Sequence, residues 1–314
     1  MTAPEFICEQ AGGVITPGNP CLLSPEAAAT GFGDWKYLIN HRPYDAQNEI
    51  RRRFPSKPAP GYHAIEDAIG PTCNLDFYPI QILEWPKPNN VWPAMDKTQM
   101  TTAQMVYRLR ADINNFVDST YAAHFDPYDN ALDRPRWSSR VPSEVLGAVI
   151  TIKMLMFTKI GPYAADHGSV VTSECAEDHW IFSTLPTTED WGHPVSGNRQ
   201  FGISTLRAGD SLSNAYSKTA DGSNASPGVS FQDTGQDIPY VYIRGADRPT
   251  NAVDAANSSI IFKSSDALWR GFQERMARWI NTSGGKAYIP GSVWMQLDWD
   301  RDIKARGLWR NPQR

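Results

Sequence analysis

His193-Pro194-Val195-Ser196-Gly197-Asn198-Arg199-Gln200-Phe201-Gly202, carried on by Ile203-Ser204-Thr205-Leu206, is the stretch on which the fold turns. A histidine–proline turn leads into Gly197. From Asn198 the residues alternate as a strand does, with Arg199, Phe201 and Ile203 on one face and Gln200, Gly202 and Ser204 on the other. If Phe201 and Ile203 face the core, Arg199 enters the interior near a strand end. About 40 residues on, Tyr242-Ile243-Arg244-Gly245-Ala246-Asp247-Arg248 repeats the arrangement, with Arg244 on the face of Tyr240 and Tyr242. A charge inside an apolar run is costly unless paired. An inward guanidinium therefore calls for a carboxylate or a ligand anion, and Asp247, Asp178 and Glu174 are the candidate acids. Two readings stay open: an anion or carboxylate clamp in a pocket, or an Arg–Asp latch that locks two turns together.

Working outward, Leu146–Phe157, Ser169–Glu174, Trp180–Leu185 and Pro239–Arg244 also read as strands, rich in branched and aromatic residues. Residues 211–237 are rich in Ser, Gly, Asn and Asp and read as a long hairpin connection. Upstream, Thr101 and Gln104 predict a capping box, followed by a helical stripe of Met105, Val106, Leu109, Ile113, Phe116 and Val117. Residues 121–140 show no period and read as a loop. Downstream, Ser264 or Ser265 is expected to cap a helix with Asp266 in its first turn. Its apolar face would be Leu268, Trp269, Phe272, Met276, Trp279 and Ile280, and Asn281 with Gly284-Gly285 would end it. The prediction is an α+β fold, a curved and mainly antiparallel sheet packed by an amphipathic C-terminal helix. Residues 1–98 are dense in proline and read as an irregular arm, with a short strand at Leu75–Leu83 that Pro79 would confine to a sheet edge. Residues 99–290 form the body and 291–314 an aromatic tail.

The 314 residues carry a formal net charge of −4, with 41% hydrophobic and 11% aromatic content. This is enough apolar material for a core and disfavours duplex nucleic acid as a partner. No run reaches the roughly 20 apolar residues of a membrane span. The start of the chain lacks the cationic and apolar regions of a secretory signal, so the cytoplasm is the expected compartment. Cys8 and Cys21 either close a Gly/Pro-rich loop or remain thiols with Cys73 and Cys175. The sequence has no CxxC pair, and neither a metal nor a cofactor is expected.

His167, His179 and His193 lie near Asp166, Glu174, Glu177 and Asp178, an imidazole–carboxylate mixture suited to general acid–base work. His193 and His179 are the catalytic candidates. Arg199, Arg244, Ser196, Asn198, Asp247 and Arg248 are the ligand-binding candidates. There is no G-x-S-x-G elbow, and His63-Ala64-Ile65-Glu66 lacks the second histidine of a zincin.

Trp180-Ile181-Phe182-Ser183-Thr184, His193–Gly202, Arg244–Arg248 and Ala267-Leu268-Trp269-Arg270-Gly271-Phe272-Gln273 together resemble a family of uncharacterised bacterial proteins over roughly residues 100–290. The His-Pro…Gly turn, Arg248-Pro249 after a later strand and the closing helix also resemble the helix-grip superfamily (START-like, polyketide-cyclase-like). The proline-rich first third has no counterpart there, and residues 211–237 exceed the family's connection. That resemblance implies an apolar cavity for a lipid, steroid or polyketide. The expected function is binding, and on a cyclase- or hydrolase-like reading conversion, of a small hydrophobic molecule, with Arg199 and His193 at its polar end. Two alternatives are a toxin-like hydrolase acting on a macromolecule and a non-catalytic assembly protein whose N-terminal arm docks on a protein partner.

Overall fold

A computed structural model describes residues 13–14, 22–23, 33–53, 62–87, 100–117, 122–154, 166–187, 193–206, 229, 231–305 and 307–310. Cys8 and Cys21 lie outside the described residues, and Cys73 and Cys175 are free thiols. The strands of the main sheet are β1 (Thr72–Glu84), β2 (Ala122–Pro127), β3 (Val149–Met154), β4 (Asp166–Cys175), β5 (His179–Leu185), β6 (Val195–Leu206), β7 (Ile238–Pro249), β8 (Lys286–Tyr288) and β9 (Val293–Asp298). They pair antiparallel in the order β8-β1-β7-β6-β5-β4-β3-β2, and β9 joins β1 beside β8. The main helices are α1 (Gly33–Asn40), α2 (Tyr44–Arg53), α3 (Thr102–Ala111), α4 (Ile113–Phe116), α5 (Asp133–Trp137), α6 (Pro142–Val145), α7 (Ala252–Ala256) and α8 (Ser258–Thr282).

The alternation along β6 and β7 sorts the core into two layers. Phe201, Ile203, Val241 and Ile243 face α8, α3 and α4 and meet Leu268, Trp269, Phe272, Met276 and Ile280 of α8. Tyr240, Tyr242 and Ala246 face the opposite way, onto Trp35, Leu38 and Ile39 of α1 and onto Trp299, Ile303 and Leu308 near the C-terminus. The α+β architecture and the packed closing helix therefore follow the expectation. The capping box at Thr101 is present, with both reciprocal bonds made.

Four local expectations are corrected. First, β1 is interior: it pairs with β7 along one side and with β8 and β9 along the other. Pro79 is tolerated because β9 pairs up to Phe77 and β8 begins at Gln81, so Pro79 falls in the gap. In an extended strand the N–H and C=O of one residue point the same way. The Pro79 carbonyl accepts from Gln273 Nε2 of α8 at 2.5 Å, so the missing N–H also lies on that unpaired side. Second, α8 begins at Ser258, and Ser264, Ser265 and Asp266 lie inside it. Asp266 instead accepts from the Tyr78 hydroxyl at 3.0 Å and from Arg270. Third, residues 121–140 contain β2 and α5, held by Asn114, whose side chain bonds both the N–H and the C=O of Phe125. Fourth, residues 1–98 contain α1 and α2 as well as β1, so the proline-rich third contributes regular elements to both layers.

Candidate functional site

β6 and β7 carry Arg199 and Asp247 on the face toward α8, where Asp76 of β1 projects beside them. The cross-strand register aligns Arg199 with Gly245 and Gly245 with Asp76. Arg199 donates from Nη1 to Asp76 Oδ1 at 2.7 Å, from Nη2 to Asp76 Oδ2 at 2.8 Å and from Nη2 to Asp247 Oδ2 at 3.1 Å. The Trp269 ring lies over the guanidinium, 4.6 Å from its carbon to the ring centroid. A β-carbon on Gly245 would sit 2.4 Å from Arg199 Nη2 and 2.7 Å from Asp76 Oδ1. The ion pair rests on the strand because that residue has no side chain.

Next to this pair lies a cavity between the sheet and α8. Counted as room for the centres of water molecules, it measures about 90 Å³. At roughly 12 Å³ per water centre this is room for about seven waters, or on the order of 200 Å³ of ligand. Phe125, Ile152, Val170, Phe182, Ile261 and Leu268 make its apolar wall, and Arg199, Asp247 and His193 its polar end.

Burial sets the protonation states of that end. It works against the Arg199 charge, but Asp76 and Asp247 outweigh it and hold the guanidinium's pKa above its ordinary value. Burial raises Asp247 to about 7 against the pull of Arg199, with the Asp76 charge adding to the rise. Burial lowers His193 to about 3, helped by His63 and Arg199 and opposed by its bond to Val195. The Val195 carbonyl lies 2.9 Å from Nδ1 and the Val195 N–H 3.3 Å from the same nitrogen; the shorter contact favours a proton on Nδ1, which leaves Nε2 as an acceptor.

The two shifts predict opposed pH effects. The raised Asp247 contributes stability that is complete below about pH 4 and lost as pH rises through about 7. The lowered His193 contributes stability present above its unfolded value and lost as pH falls toward about 3. In the wild type the two slopes offset each other between about pH 4 and 6.5. Asp247→Asn is expected to leave a curve rising with pH over that interval, and His193→Gln one that falls. Urea unfolding across the pH series reads both slopes.

The other candidates lie elsewhere. Asn198 borders the cavity, but its amide turns to the opposite face, donating to the Leu38 and His41 carbonyls at 2.7 and 3.2 Å. Ser196 bonds Thr250 there at 3.0 Å. Arg244 lies between the rings of Phe77 and Tyr242. Arg248 donates to the carbonyls of Gly70 and Ile65 and lies over Trp299, 4.3 Å from its centroid. Asn198 thereby ties α1 to the sheet, and Arg248 ties the segment before β1 and Trp299 to it.

His179 belongs to a separate cluster on the α1 side. It meets Glu174 at 2.6 Å and Asp178 at 2.7 Å, and Glu174 also bonds Tyr37 and approaches His41 at 3.5 Å. A bulge at Ser173 brings that hydroxyl within 2.9 Å of His41 Nε2. The Ser173 hydroxyl also has the Ile181 carbonyl at 3.2 Å as an acceptor and receives a bond from Ser183 at 2.9 Å, so its single hydrogen is shared between competing acceptors.

Asp178 and Glu174 thus partner His179, and Asp247 partners Arg199, as one of the three acids weighed. Asp76, the principal partner, was missed because it lies in the proline-rich third. The alternation of Asn74, Asp76 and Tyr78 against Leu75 and Phe77 would have marked the residue had that stretch been read as an interior strand. No group of three or more metal-ligating side chains with the geometry to hold a metal occurs among the described residues. Nor, among them, is any helix long and apolar enough to cross a membrane. No protein-family model matches the chain, and no curated protein matches it in sequence.

Proposed function

We propose that this protein binds a small, mostly apolar molecule between the sheet and α8, in a helix-grip-like arrangement. The observation that carries the reading is the cavity itself. Phe125, Phe182 and Phe201 line it on the sheet side and Ile261, Leu268 and Trp269 on the side of the closing helix, with Arg199, Asp247 and His193 as its polar groups. Protein interiors are close-packed with few voids larger than a water molecule, so space of this size beneath a helix supports the reading. In this reading α8 grips the ligand, and Asp247 and His193 orient it. Any conversion of the ligand would use Asp247, raised to about 7, as the group that exchanges a proton near neutral pH, with His193 as a neutral acceptor.

Native mass spectrometry of freshly purified protein is expected to show a retained small molecule. Indole, a neutral two-ring probe, is expected to raise Tm, with about 2.7 kcal/mol of stabilisation at one hundred times Kd. Leu268→Trp, which fills the cavity from α8, should abolish the indole shift while leaving a cooperative unfolding transition. An indole shift that survives in Leu268→Trp would place binding elsewhere and refute the proposal, as would no retained mass together with no shift in the wild type.

A further inference from the structure

Resting on that reading, we infer that the ligand's polar end is an uncharged hydroxyl, an alcohol or phenol, and that the site discriminates against carboxylates and other anions. A count of charge carries the inference. Among the described lining residues Arg199 is the one cation, and its charge is already met. Asp76 binds it through both oxygens, and Asp247 takes a third bond. With one guanidinium and two carboxyls, the cluster carries a formal charge of 0 when Asp247 is protonated and −1 when it is ionised. Neither state offers a net positive charge to an anion.

The seating of Arg199 points the same way. Trp269 covers one face of its guanidinium, and the Gly245 backbone lies so close that even a β-carbon would collide with it. Three of its five N–H groups are directed along the sheet toward Asp76 and Asp247. Arg244 and Arg248 are on the opposite side of the sheet, held there under aromatic rings. An anion entering the cavity would lose its hydration shell and meet Asp247 with no free cation to compensate.

A hydroxyl meets a matched pair. His193 Nε2 accepts its hydrogen in the tautomer that the shorter Nδ1 contact, to the Val195 carbonyl, favours. Asp247, raised by burial toward the protonated form, donates to its oxygen. Neutral partners of opposite role are what a desolvated hydroxyl requires, since each unmade bond in such a site is costly. The cavity's volume suits a one- or two-ring body.

Three probes of similar shape test this at about pH 7 on the full chain: naphthalene, neutral 2-naphthol and anionic 2-naphthoate. Calorimetry or competition with indole gives each affinity. The expected order is 2-naphthol, then naphthalene, then 2-naphthoate, with at least a tenfold gap between first and last. His193→Phe should keep naphthalene binding and reduce the advantage of 2-naphthol over it to within about twofold. Binding of 2-naphthoate as tight as or tighter than 2-naphthol overturns the inference and leaves the cavity a ligand site. An unaltered 2-naphthol advantage in His193→Phe overturns it too. Failure of all three probes, naphthalene included, overturns the binding reading together with the inference.

Discussion

Asp76→Ala is expected to destabilise the protein by about 3–5 kcal/mol, the cost of leaving a buried charge without its partner. Asp76 is 0% exposed, and both its oxygens engage Arg199. It also accepts from Asn74 Nδ2 at 3.0 Å. Removing it leaves the guanidinium with Asp247 alone, through a single longer bond. The size of the loss reflects the stranded charge more than the intrinsic worth of the pair, so a second variant separates them. Asp76→Leu combined with Arg199→Met replaces the ion pair by apolar volume and is expected to recover at least half of the loss. Urea unfolding with an unchanged m-value gives both numbers. A loss under about 1 kcal/mol for Asp76→Ala would mean that water reaches Arg199 and that the pair is effectively exposed.

Phe201→Ala is the second large effect, again about 3–5 kcal/mol. Phe201 is fully buried and stacks on Trp180 at 4.7 Å with an interplanar angle of 5°. It meets Trp269 edge-on at 5.5 Å and Phe182 edge-on at 5.7 Å. Its removal takes the hub from an aromatic cluster that spans β5, β6 and α8, and it opens space that joins the ligand cavity. Part of the stability should therefore return on adding a molecule that fills the gap, such as toluene. The half-buried Phe231, packed on Tyr240 across the sheet, serves as the comparison, and Phe231→Ala should cost no more than about 1.5 kcal/mol.

The layers of the fold were legible wherever one period ran unbroken. Alternation from Asn198 to Leu206 placed Arg199 with Phe201 and Ile203, and it places Arg244 on the other face with Tyr242. The helical stripe from Leu268 to Ile280 marked the buried face of α8, although the polar run Lys263-Ser264-Ser265-Asp266 hid its true start. Segments whose structure depends on distant partners were not legible. β1 looks like an edge strand because Pro79 cannot donate, and only the handover from β9 to β8 makes an interior position acceptable. Asp76 was lost with it, and so was the principal partner of Arg199. His179 and His193, close in sequence and alike in chemistry, fall on opposite sides of the sheet. His179 alternates with the buried Trp180 along β5, whereas His193 stands just ahead of β6 beside the cavity.

The account rests on the space beneath α8 being a ligand site. Heteronuclear NMR of the full chain titrated with 2-naphthol tests that most directly. The indole N–H of Trp269, bonded to Ser265 Oγ at 3.1 Å, and the methyl groups of Ile152, Ile261 and Leu268 should shift together along one saturating curve. The indoles of Trp35 and Trp299 on the opposite face should stay in place. Shifts confined to Trp35 and Trp299, or spread without saturation over both faces, would contradict it.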